Sequence, residues 1–157
     1  MSKGMDYETY LRENGSLTYT NVGVSMLPLL REGKDMFIVS KRNGKRLRAG
    51  DVVLYRRPPS SYVLHRVIEV REKDYVILGD NCINKEYGIR DEDIIAVMTG
   101  YVRNGKEHQL SEFGYRFYTF VWMHTITLRI FFKKCKSKLS RMKGKTKHGN
   151  GSSRQKH

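Results

Sequence analysis

Three residues able to do chemistry together follow one another along the chain: Ser25, His65 and Asp80. Ser25 stands in Gly23-Val24-Ser25-Met26-Leu27-Pro28, His65 in His65-Arg66-Val67 and Asp80 in Gly79-Asp80-Asn81, with Gly50-Asp51 between the first two. A serine hydroxyl is a poor nucleophile at its own pKa and needs a base within hydrogen-bond reach. An imidazole, titrating near about 6.5 when unperturbed, is suited to take that proton at neutral pH. A carboxylate as third group orients the ring and stabilises its charged form. Such a set is equipped for acyl transfer through a covalent serine intermediate.

Each piece alone has an ordinary reading. Ser-Met-Leu-Pro is usually a turn, a histidine between two valines is more often a satisfied core residue, and Gly-Asp-Asn is a common turn whose side chains bind their own backbone. The ordered combination carries the argument. Gly23 permits a strained turn just before Ser25, and Pro28, with fixed φ and no amide hydrogen, stops the strand just after it. That leaves the hydroxyl exposed at a strand end and the backbone amides of Ser25 and Met26 available to an oxyanion. Alternation puts Val63, His65 and Val67 on one face of their strand and Leu64, Arg66 and Ile68 on the other. Arg66 stays protonated and cannot be the base.

The elements that must position these residues are short strands. The pattern predicts a helix over 5–13, ended by Gly15, and strands over 17–24, 36–41, 51–56, 62–70, 75–78 and 94–102. Asn43-Gly44 is a hairpin-type signal, Pro58-Pro59 stops the third strand, and Asn104-Gly105 turns the chain after the last. Strands at this spacing predict a mostly antiparallel β-domain. From Phe113 the apolar residues recur at 113, 117, 120, 121, 124, 128 and 131, counting His124, which is a helical period.

The ordered set resembles the type I signal peptidase clan, which also includes the self-cleaving SOS-response repressors, over residues 18–102. The resemblance implies a compact, coiled antiparallel β-fold of the signal-peptidase type; the periodicity adds a C-terminal helix, and the basic, Gly/Ser/Lys-rich composition beyond it a disordered tail. It implies Ser25 as the nucleophile of a serine endopeptidase that cuts a peptide or leader segment through an acyl-enzyme. The bacterial enzymes carry a lysine base. Here the matching strand carries His65, as in the endoplasmic-reticulum and spore-former type. Where the bacterial enzymes place an oxyanion-binding hydroxyl, two residues before the nucleophile, this chain has Gly23, as in the repressors. The aspartate pair that follows Gly-Asp-Asn in the endoplasmic-reticulum type is replaced by Lys85-Glu86. Asp80 is therefore the first choice for the acid, Glu86 the alternative, and Asp91 and Asp93 stand further off. The alternative function is a catalytically degenerate clan member acting as a membrane-associated or peptide-binding module.

With 157 residues, the chain divides into a short N-terminal helix or extension over 1–16, a catalytic β-domain over 17–112, an amphipathic aromatic helix over 113–134 and a disordered basic tail over 135–157. From Lys133 onward there are ten Lys or Arg and no acid, whereas the preceding residues hold twenty basic and sixteen acidic side chains; the formal charge of +14 belongs mainly to the tail. An aromatic helix followed by that charge predicts an anionic membrane surface as a partner besides the peptide substrate, whereas only charge argues for nucleic acid. The N-terminal stretch lacks a secretory hydrophobic core. The longest uncharged apolar run, 117–128, falls short of the about twenty residues a bilayer span needs. Cys82 and Cys135 are far apart and the five histidines scattered, so no metal, cofactor or disulfide framework is expected, and the location read is cytoplasmic with a peripheral membrane option.

Overall fold

The computed structural model describes residues 7–59 and 61–147, with side-chain surroundings described as far as Lys138. The chain forms two compact units, the first ending at Met123 and the second beginning at His124. Among the described residues of the first unit a helix α1 (Tyr7–Asn14) precedes eight strands: β1 (Ser16–Thr20), β2 (Met36–Lys41), β3 (Val52–Arg57), β4 (Ser61–Val70), β5 (Tyr75–Leu78), β6 (Glu86–Ile89), β7 (Ile94–Arg103) and β8 (Lys106–Gln109). A helix α2 (Phe113–His124) follows, and α3 (Ile126–Lys147) lies in the second unit.

All strand pairings are antiparallel, in the order β1-β2-β7-β3-β4-β5-β6, with β8 paired to β7. The mostly antiparallel β-architecture with C-terminal helices agrees with the sequence pattern. β3 lies in the middle of the sheet and is buried from Val52 to Tyr55. Its alternation feeds two cores: Val52 and Leu54 join Met26, Leu30, Val39 and Leu64, whereas Val53 and Tyr55 join Val67, Tyr75 and Ile77. Burying each of these side chains contributes about 2 kcal/mol. A bulge between Leu54 and Tyr55 shifts the register of the pairing with β7.

Several elements depart from the sequence pattern. The strand expected over 17–24 ends at Thr20, because Asn21 turns inward and Gly23 takes φ +85°. Asn43-Gly44 joins no hairpin, since β7 lies between β2 and β3. β6 and β8, short and polar, were not expected at all. The single helix expected over 113–134 is two helices meeting at Thr125, and the second runs through to Lys147. The disorder expected from residue 135 therefore gives way to helix over 135–147, a stretch of Lys, Arg, Leu and Met that favours helix. The remainder of that expected tail, 148–157, lies outside the described residues, as do positions 1–6 of the expected N-terminal extension.

Candidate active site

The Ser25 segment is a tight turn seated on the core. Leu27 donates its amide to the Val24 carbonyl at 3.2 Å, which places Ser25 and Met26 at the turn's centre. Met26, Leu29 and Leu30 are buried beneath it, and Leu30 donates to the Met26 carbonyl. The entrance is fixed by Asn21, whose side-chain amide donates to the Gly23 carbonyl, and by the Gly23 amide, which donates to Glu32 at 2.9 Å. Among the described residues, no acceptor takes the amide of Ser25 or of Met26. Two backbone donors beside the hydroxyl are what an oxyanion needs.

His65 reaches the site from β4. Opposite Val53 in the ladder, it shares the face of Val63 and Val67 and is 4% exposed. Its Nδ1 lies 3.0 Å from Glu86 Oε1 and 3.4 Å from the Tyr55 hydroxyl. Its Nε2 is buried with no hydrogen-bond partner among the described residues. Burial pushes the imidazole below its ordinary pKa; the Arg57 charge adds to that, and the Glu86 carboxylate opposes it. The ring is therefore neutral near pH 7, with Nδ1 donating to Glu86 and a lone pair on Nε2. A buried lone pair with no donor is costly in a core and useful in a base.

Glu86 opens β6. Burial raises its pKa, but hydrogen bonds from Arg57 and Tyr55, then the charges of Arg57 and His65, outweigh that and hold it below the usual carboxylate range. Arg57 Nε donates to Glu86 Oε2 at 2.9 Å, and its Nη2 pairs with Oε1. The hydroxyl of Tyr55 is pushed well above its ordinary value, by burial first and then by Glu86, so it remains protonated.

Asp80, the first choice for the acid in sequence, is engaged elsewhere. Arg66 holds its two oxygens in a fork, Nε to Oδ1 and Nη2 to Oδ2, both at 2.8 Å and both side chains 1% exposed. Tyr118 donates to Oδ2 at 2.8 Å and Trp122 to the Asp80 carbonyl at 3.2 Å. The Arg66 charge is further held by the Gly50 carbonyl and by the faces of Tyr115 and Tyr118. Burial lowers the Arg66 pKa, but the hydrogen bonds and charge of Asp80 raise it further. The carboxylate on the His65 ring is Glu86, and Asp80 clasps α2 to the sheet. Asp91 bonds Tyr75 and Arg42, and Asp93 caps its own turn at the Arg90 amide, so neither further candidate is the carboxylate on the ring.

The clasp reaches the Ser25 turn through the next residue. Asn81 donates its amide to the Ser25 carbonyl at 2.7 Å and its side chain to the Val24 carbonyl at 3.0 Å. Gly79 closes the arrangement: a Cβ there would stand 2.8 Å from His65 Nε2, 2.8 Å from the Ser25 carbonyl oxygen and 2.7 Å from Cys82 Sγ. The His65 ring and the Ser25 turn thus flank one point, which only glycine leaves open.

Ser25, His65 and Glu86 line one groove of about 1010 Å³, walled by Tyr19, Phe37 and Ile83 among others. Among the described residues β1 pairs only with β2, and β5 pairs with β4 only from Arg66 onward, so there β1 and the first half of β4 each leave a strand edge unpaired beside the groove. Among the described residues no group of His, Cys, Asp or Glu is placed to hold a metal ion. No family model, curated protein or solved structure matches the chain.

Proposed function

We propose that the protein is a histidine-based serine endopeptidase of the signal-peptidase type. The observation that carries this reading is the buried, unpartnered Nε2 of His65, with Glu86 on the opposite ring nitrogen, in the groove that Ser25 shares. An extended peptide adds to the strand edges beside the groove, main chain to main chain, which presents its scissile carbonyl to Ser25. The Ser25 oxygen attacks that carbonyl carbon as its proton passes to His65 Nε2. The amides of Ser25 and Met26 hold the resulting oxyanion. Collapse breaks the carbon–nitrogen bond, and the leaving amine takes the proton from His65. Water, deprotonated by the same nitrogen, then releases the acyl group from Ser25. Glu86 keeps the Nδ1 tautomer and stabilises the transient imidazolium.

The order of the segments, and their resemblance to the type I signal peptidase clan, supports the same reading. Digestion of a diverse peptide library, read by mass spectrometry, tests it. The wild type is expected to yield defined cleavage products, and Ser25→Ala and His65→Ala to yield none while keeping the wild-type circular dichroism. A folded wild type that cuts nothing would favour the degenerate peptide-binding reading, and variants that cut as the wild type does would overturn the assignment of Ser25 and His65.

A further inference from the structure

The two C-terminal helices each carry large apolar side chains where a protein that ends at its own surface has no use for them. On α2, Tyr115, Tyr118 and Trp122 face the sheet and bind the Arg66–Asp80 clasp. The other side of the same helix presents Phe113 at 82% exposure, Phe117 at 58% and Phe120 at 60%. Phe113 and Phe117 stack on one another in solvent, one turn apart. On α3, Leu128, Phe131 and Phe132 stand at the i, i+3, i+4 spacing of one face, 56%, 60% and 60% exposed. Scattered exposed apolar residues are normal, but a row of large apolar side chains on one helix face, present in each unit by itself, marks an interaction surface.

Charge narrows the partner. Lys134, Lys136 and Lys138 follow Phe132 directly and are exposed, and all ten charged side chains from Lys133 to the end are basic. No helix among the described residues is long and apolar enough to cross a membrane. Aromatic and leucine side chains interrupted by basic ones suit the boundary between headgroups and acyl chains, where rings enter the lipid and lysines reach back to phosphate. Nucleic acid would use the charge and leave the phenylalanine rows in water.

We infer that each of these two helices, by its own phenylalanine face, enters the surface of an anionic phospholipid bilayer, and that the lysines of the second unit bind the headgroups. This goes beyond the peptidase reading and does not depend on it. The test is co-sedimentation of the full chain with vesicles of phosphatidylcholine alone or mixed with phosphatidylglycerol. Binding is expected to the mixed vesicles and to be at least about tenfold weaker to phosphatidylcholine. Phe117→Ser with Phe131→Ser and Phe132→Ser should lower affinity for the mixed vesicles more than about tenfold, and Lys134→Gln with Lys136→Gln about twentyfold. All variants are checked for wild-type circular dichroism, and their exposed positions keep the sheet intact. Equal binding to both vesicle types, loss of the phenylalanines without effect, or displacement from mixed vesicles by equimolar duplex DNA would each overturn the inference.

Discussion

Glu86 Oε1 sits 3.0 Å from His65 Nδ1, on the opposite side of the ring from the nitrogen that has no partner. The pair therefore fixes which nitrogen carries the proton and which presents a lone pair. Replacing Glu86 with Gln keeps the shape but lets the amide offer its own N–H to Nδ1, favouring the wrong tautomer. The turnover of a cleaved peptide should fall by about 10²- to 10⁴-fold with little change in KM. Steady-state kinetics of Glu86→Gln beside the wild type give the answer, and an unchanged kcat would remove Glu86 from the mechanism.

The pH dependence follows from the direction of the His65 shift. Burial lowers the folded-state pKa below the unfolded value of about 6.5, so the native state resists protonation. This contribution to stability is full above about pH 6.5 and is lost as pH falls from there toward the lower folded value. Activity needs the neutral ring, so the acid limb of kcat/KM should also lie below about 6.5. Because Glu86 raises the His65 pKa, Glu86→Gln should move that limb to still lower pH. A limb above 6.5 in the wild type contradicts the assignment.

Asp80 predicts the opposite signature. Asp80→Ala leaves the Arg66 guanidinium buried without its counter-charge and frees Tyr118 from its acceptor. The expected cost is about 3–5 kcal/mol of folding stability, measured by urea denaturation. Glu86→Gln, on a partly exposed carboxylate, should cost far less. If Asp80→Ala unfolds like the wild type, the clasp holds nothing of consequence.

Gly79→Ala tests how tightly the site is closed. The new methyl would press on His65 Nε2, Cys82 Sγ and the Ser25 carbonyl, and the last is backbone that cannot rotate away. Overpacking of this kind costs about 1–3 kcal/mol, and the displaced turn should reduce cleavage by more than about tenfold. Gly114→Ala, which meets nothing within 4 Å in α2, is the control and should be neutral or slightly stabilising.

The reading of Glu86 as only an alternative acid shows where sequence stops being legible. Ser25, His65 and Asp80 announce themselves because glycine, proline and alternation bracket them. β2, β5 and β7 are visible for the same reason, as runs of valine, isoleucine and aromatic residues. Glu86-Tyr87-Gly88-Ile89 has no such run, and only its pairing with β5 makes it a strand that aims Glu86 at the ring. The partner of Asp80 was equally hidden. Arg66 beside His65 reads only as a charged residue on the opposite face of its strand, whereas in the structure α2 lies over it and it is buried. The end of β1 at Thr20 depended on Asn21 turning inward to bond the Gly23 carbonyl, which local propensity does not encode.

The central claim is that Ser25 is a nucleophile activated by His65. Intact-protein and peptide mass spectrometry after reaction with a fluorophosphonate measures it without any knowledge of the substrate. The account predicts one adduct, on Ser25, whose formation is lost in Ser25→Ala, slowed by more than about 10³-fold in His65→Ala and faster as pH rises through the His65 pKa. A folded wild-type protein that remains unlabelled, or is labelled at Ser25 as fast without His65, would contradict it.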